Sequence, residues 1–118
     1  MTRQSIQAPD ELEFLEHFGV EPAEASPSDG FWQYEFSDAV GFQLVLSFDV
    51  LERSLQTVLV HDGVQVARMS AEGMVSLSID ENDPVIRGRC LAPGVEMSVE
   101  IRAEPRLSVT WSSLRTDE

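Results

Sequence analysis

The chain has 118 residues and a formal net charge of −13, with 21 Asp and Glu against eight Arg and no Lys. So acidic a chain repels phosphate backbones and anionic lipid, which excludes nucleic-acid binding through a basic footprint and argues against a membrane surface. One cysteine allows no intrachain disulfide, and no apolar run approaches the ~20 residues of a membrane span. The expectation is therefore one domain over 1–118, made in the cytoplasm and held together by an ordinary apolar core.

The first predicted element is a helix. Pro9 suits a first helical position, Asp10, Glu11 and Glu13 stand where the helix dipole favours anions, and Gly19 stands where a left-handed residue ends a helix. The spacing predicts a helix over about 9–18, with Leu12, Leu15 and Phe18 as its apolar stripe and Phe14 beside them. So short a helix is unstable alone and must pack on the rest of the chain. Residues 19–30 carry Pro22, Pro27 and small polar residues and predict a loop.

From Phe31 to about residue 114 the hydrophobic period is two. Trp32, Tyr34 and Phe36 alternate with polar residues, as do Phe42 to Phe48, Val75 to Ile79, Met97 to Ile101 and Leu107 to Trp111. This alternation predicts antiparallel strands with one buried and one wet face. Turn signals separate them at Ser37–Gly41, Asp49–Arg53, Asp80–Pro84, Ala92–Gly94 and Glu104-Pro105. Asp62-Gly63 predicts a two-residue type I′ hairpin that sets Leu59 opposite Val66 and Val58 opposite Ala67. The predicted fold is mainly β within the α+β class. It is an antiparallel meander of about eight strands, forming a sandwich or a partly open barrel behind one short helix.

Chemistry-bearing residues are few. His17 and His61 lie far apart in sequence without partners at ligand spacing. Cys90 shares a strand face with Ile86 and Gly88, while Arg87 and Arg89 take the other. Neighbouring cations would activate a thiol, but burial among apolar residues makes it a small hydrophobe. Asp80-Glu-Asn-Asp83 has calcium-type oxygens, yet it lacks the glycine and terminal glutamate of an EF-hand and reads equally as an Asx turn. No nucleophile elbow, phosphate loop or dinucleotide fingerprint occurs. The expectation is a protein that is not an enzyme, with no catalytic residue, cofactor or metal.

The acids are spread almost evenly, but the bases are not. Residues 4–52 hold 11 carboxylates and no Lys or Arg, whereas seven Arg lie among the 10 carboxylates of residues 53–118. A random draw of 11 charges from this composition would contain about three bases, so the first half is either a solubilising face or a negative docking surface for a basic protein. Its candidate partner-binding residues are Glu13, Glu16, Glu21, Glu24, Asp29, Glu35 and Asp38.

The short helix Pro9–Phe18, the Trp32–Phe48 strand pair, the acidic excess and the closing run Pro105-Arg-Leu-Ser-Val-Thr-Trp111 together resemble the small acidic immunity proteins that bacteria make beside polymorphic or contact-dependent toxins. The resemblance implies a cytoplasmic inhibitor that performs no chemistry. It would bind a cognate toxin domain, often a basic nuclease, and occlude its active site or an adjacent surface. Two other readings stay open. One is a small-ligand module whose barrel interior is lined by Trp32, Tyr34 and Phe36. The other is an adaptor that oligomerises, as a homodimer for instance, through an exposed strand edge.

Overall fold

The computed structural model describes residues 6–116. Along the chain it forms α1 (Glu11–Phe18), β1 (Glu24–Ser26), a 3-10 turn (Pro27–Asp29), β2 (Phe31–Ser37), β3 (Phe42–Asp49), β4 (Ser54–His61), β5 (Val64–Glu72), β6 (Met74–Ile79), β7 (Val85–Ala92), β8 (Val95–Arg102) and β9 (Ser108–Arg115). The strands make two antiparallel sheets, ordered β1-β2-β3-β4-β5 and β6-β7-β8-β9, so every strand pairs with its neighbour in sequence except where the chain passes from β5 to β6. The architecture is a sandwich and not a closed barrel. The predicted strands are all present, and the stretch expected to be loop adds the short edge strand β1 and the 3-10 turn.

The passage between sheets is a single residue. Gly73 has φ of 83°, and a Cβ there would collide with the carbonyl oxygen of Leu91. The Gly73 and Met74 amides both donate to the Arg53 carbonyl, and the Leu91 amide donates to the Gly73 carbonyl. One glycine thus ends β5 beside β4 and starts the next sheet beside β7.

The core lies between the inner faces of the sheets, as the period of two requires. Tyr34, Phe36, Leu44, Leu46, Phe48 and Leu55 fill it from the first sheet, and Met74, Leu77, Ile86, Cys90, Val99 and Ile101 from the second. Tyr34 and Phe36 are therefore packing and not the lining of an interior cavity. Thr57 is the one buried polar side chain among the described residues, and its hydroxyl accepts from the Trp111 indole of the opposite sheet at 2.9 Å.

Two bulges correct the expected registers. Asp62 and Gly63 have φ of 50° and 83°, the pair of left-handed residues that a type I′ turn needs. His61 pairs with Val64 and Val60 with Gln65, but Leu59 then faces Ala67, not Val66, and Val58 faces Arg68, not Ala67. Without the extra residue, Val66, Arg68 and Ser70 would turn onto the inner face of the sheet; the bulge gives that face Ala67, Met69 and Ala71 instead, and of these Ala71 is buried. In β6 the register shifts between Met74 and Ser76, so Met74 and not Val75 takes the fully buried place above Leu77.

Candidate partner-binding surface

The helix that opens the acidic half begins later than Pro9. Asp10 is the N-cap: its carboxylate accepts from the Glu13 amide at 2.9 Å while the Glu13 carboxylate accepts from the Asp10 amide at 3.1 Å. This reciprocal box satisfies two of the helix's orphan donors. Gly19, with φ of 69°, ends the helix as predicted, and its amide donates to the Leu15 carbonyl. The buried side is not the expected stripe. Phe14 is fully buried and Phe18 partly so, whereas Leu12 and Leu15 are exposed at 59% and 44%. Residues 14 and 18 lie one turn apart and share a face. The ring of Phe14 stacks 3.8 Å from Tyr34 and that of Phe18 meets Phe36 edge-on, so α1 covers the inner face of β2.

That docking leaves a surface pocket of about 560 Å³ where the helix start meets β2 and β3. Ile6, Leu12, Trp32, Phe48 and Val50 form its apolar lining, and Asp10 and Glu11 bring carboxylates to it. The Trp32 indole N–H donates to Glu11 Oε2 at 2.8 Å, which fixes the ring against the helix. The negative potential reaches inward. Tyr34 is pushed up to about 12, first by its burial and then by the charges of Glu11 and Asp10. The pocket escapes a reading by periodicity, because Trp32 and Glu11 are 21 residues apart and only the packing of Phe14 brings them together.

The seven acids singled out by charge fall into distinct settings. Glu16 is exposed on α1, Glu21 follows the helix, and Glu24 lies on edge strand β1 opposite Gln33. Asp29 accepts from the Ser26 hydroxyl at 2.6 Å, and Glu35 accepts from the Gln43 amide at 3.1 Å. Since Tyr34 and Phe36 point inward, Glu35 and Glu24 lie on the outer face of the sheet, while Glu13 and Glu16 ride on the helix against its inner face. The acids thus wrap the β1–β2 edge and do not share one flat face. Two of the seven accept from backbone amides. Glu13 closes the capping box, and Asp38 accepts from the amides of Val40, Phe42 and Leu107, the last at 3.0 Å. These donors, the Leu107 amide above all, hold Asp38 below the usual carboxylate range and tie the β2–β3 turn to the second sheet.

Elsewhere the chemistry is structural. Cys90 is buried, and burial pushes its thiol up, away from the reactive thiolate that flanking arginines would favour. Asp80 accepts from the amides of Asn82 and Asp83 and from Arg87, whose guanidinium is the largest reason that its carboxyl is lowered to about 2. The acidic loop is therefore an Asx turn closed by an arginine. His61 lies 3.2 Å from the Val40 carbonyl and clasps one turn to another, and His17 is exposed on α1. The ion pairs Arg87–Asp80, Arg89–Glu96 and His61–Asp62 involve no acid of residues 10–52. The outer face of the second sheet forms a groove of about 380 Å³ among Ser76, Ser78, Arg87, Arg89, Ser98 and Ser112. Its wet alternation was legible in sequence and its concavity was not.

No protein-family model matches the chain, and no curated protein matches it by sequence. A solved structure does: one chain of the contact-dependent growth inhibition toxin–immunity protein complex from Klebsiella pneumoniae 342 superposes with a TM-score of 0.84 at 23% identity, over 95% of this chain and 100% of that one. At that identity the likeness establishes the fold, and this protein has the architecture of a chain from a contact-dependent growth inhibition toxin–immunity complex.

Proposed function

We propose that this protein is an immunity protein, a non-enzymatic inhibitor that binds a cognate toxin domain in the cytoplasm and occludes its working surface. The observation that carries the reading is the near-complete structural match to a chain of a toxin–immunity complex. Charge favours the inhibitory side of such a pair. A net −13, with the base-free 11 carboxylates in residues 4–52, suits a chain that captures a basic protein and does not suit one that grips an anionic substrate itself. The buried Cys90 and the internally engaged Asp38 and Asp80 are held by the fold and not poised for catalysis.

The exposed acids Glu16, Glu21, Glu24, Asp29 and Glu35 steer the encounter, while Glu13 and Asp38 shape the scaffold that presents them. The toxin partner is basic, and a nuclease domain is the type that fits this charge. The test is a search of the neighbouring genes for a toxin domain, then co-expression with it and association kinetics at several salt concentrations. Growth should be rescued, and reversing Glu16, Glu21, Glu24 and Glu35 to Lys should slow association by about tenfold or more and flatten its salt dependence. Association rates that do not change with salt would remove the electrostatic mechanism, and a failure to rescue or bind would remove the immunity reading. A homodimer has one observation in its favour: edge strand β5 is exposed on both faces, with Val64, Val66 and Met69 in solvent. Sizing of the isolated protein decides it.

A further inference from the structure

The pocket between α1 and the β2–β3 strands has a chemical character that narrows what can fill it. Ile6, Leu12, Phe48 and Val50 make an apolar wall for an aliphatic stem, and Trp32 offers an aromatic surface held by its bond to Glu11. Asp10 and Glu11 supply two carboxylates. The positive end of α1, equivalent to about half a charge, does not cancel them. Asp10 Oδ1 and Glu11 Oε2 each receive one hydrogen bond, and a carboxylate has about four lone-pair sites, so acceptor capacity is left for a second donor. The raised Tyr34 agrees with a site whose net field is negative.

An apolar anchor such as leucine would satisfy the wall but desolvate the carboxylates without a counter-charge, which is costly. Bare ammonium would meet the charge but leave the wall and the indole unused. A guanidinium on a three-carbon stem meets all three requirements, because it is planar, stacks on indole and donates in a fork to carboxylates. Exposed Leu12 and Leu15 extend the apolar centre beside it, so the patch combines an apolar middle with acids around it, the anatomy of a protein interface.

We propose that this pocket is the seat of an arginine side chain presented by the basic partner, with Glu11 and Trp32 as its principal contacts. The proposal rests on the immunity reading for the source of the arginine but not for the chemistry of the pocket. The first measurement therefore uses the protein alone. In amide-correlation NMR, n-butylguanidinium should move the Trp32 indole N–H signal saturably, and the neutral isostere n-butylurea should move it several-fold less. Glu11→Gln, which keeps an acceptor for the indole, should erase that difference while the melting temperature stays unchanged. No movement, or equal movement with both probes, overturns the proposal.

The second measurement uses the cognate toxin domain that the search of neighbouring genes identifies. Glu11→Gln and Trp32→Phe should each weaken binding by about tenfold, mainly through faster dissociation, whereas Glu100→Gln on the other sheet should not. A wild-type protein that binds while both variants bind equally well overturns the pocket alone. A wild-type protein that does not bind this toxin overturns the immunity reading, and the small-molecule result still judges the pocket.

Discussion

At the scale of single residues, the acidic half of the chain divides its carboxylates between building and presenting. Asp10, Glu13 and Asp38 satisfy backbone amides, and Glu11 holds an indole; Glu16, Glu21 and Glu24 face solvent. Sequence could rank these residues by charge but not by employment, because a carboxylate's partner depends on which amide the fold brings within reach. Tyr34 makes the local field measurable, since it is the sole tyrosine of the chain. Its phenol is raised to about 12 in the folded state against an ordinary value of 10.0, so the stability it contributes is whole below pH 10 and is lost as pH rises through about 12. Tyrosinate absorbance after a rapid pH jump should therefore show a midpoint about 12, and Glu11→Gln should lower it by removing the second cause. A midpoint near 10 in the wild type would mean that the ring is open to water.

At the scale of elements, the strands were far more legible than the helix. Alternation with period two identifies which residues of β2, β3, β7, β8 and β9 point inward, because a strand has only two faces and burial selects one. The helix start and stop were also readable to within two residues from Asp10 and Gly19. Its buried side was not, since Phe14–Phe18 and Leu12–Leu15 are both plausible faces and only the aromatic shelf of Tyr34, Phe36 and Phe48 selects the first. Truncation separates the two. Phe14→Ala should cost about 3–5 kcal/mol in urea unfolding, as removal of a fully buried ring does, while Leu15→Ala should stay within about 0.5 kcal/mol because that side chain is already in water. Equal losses would place the helix on its other face.

At the scale of the whole molecule, two sheets become one core through a few long-range ties. Gly73 carries the chain from one sheet to the other, Trp111 reaches Thr57, and the Leu107 amide reaches Asp38. Gly73→Ala places a methyl group against the Leu91 carbonyl in a left-handed backbone conformation, a combination expected to cost about 3 kcal/mol or more. Gly94→Ala is the control: its φ is also positive, at 78°, but nothing lies within 4 Å of a Cβ there. Its loss should be limited to backbone strain of about 1 kcal/mol. Thermal unfolding of both variants checks the difference, and equal shifts would mean that the contact with Leu91 is not the constraint.

Sequence by itself determined the antiparallel meander, the Asp62-Gly63 turn, the ends of the helix and the acidity of the first half. All of these follow from local rules: side-chain period, the sterics of positive φ, the needs of helix termini and the sum of charges. Tertiary structure decided the rest. The bulges at Val66 and Val75 set which side chains enter the core, Gly73 separates the two sheets, and the packing of Phe14 brings Glu11 to Trp32. Each depends on residues distant in the chain competing for the same buried space, and that competition is settled only when the two sheets and the helix close on one another.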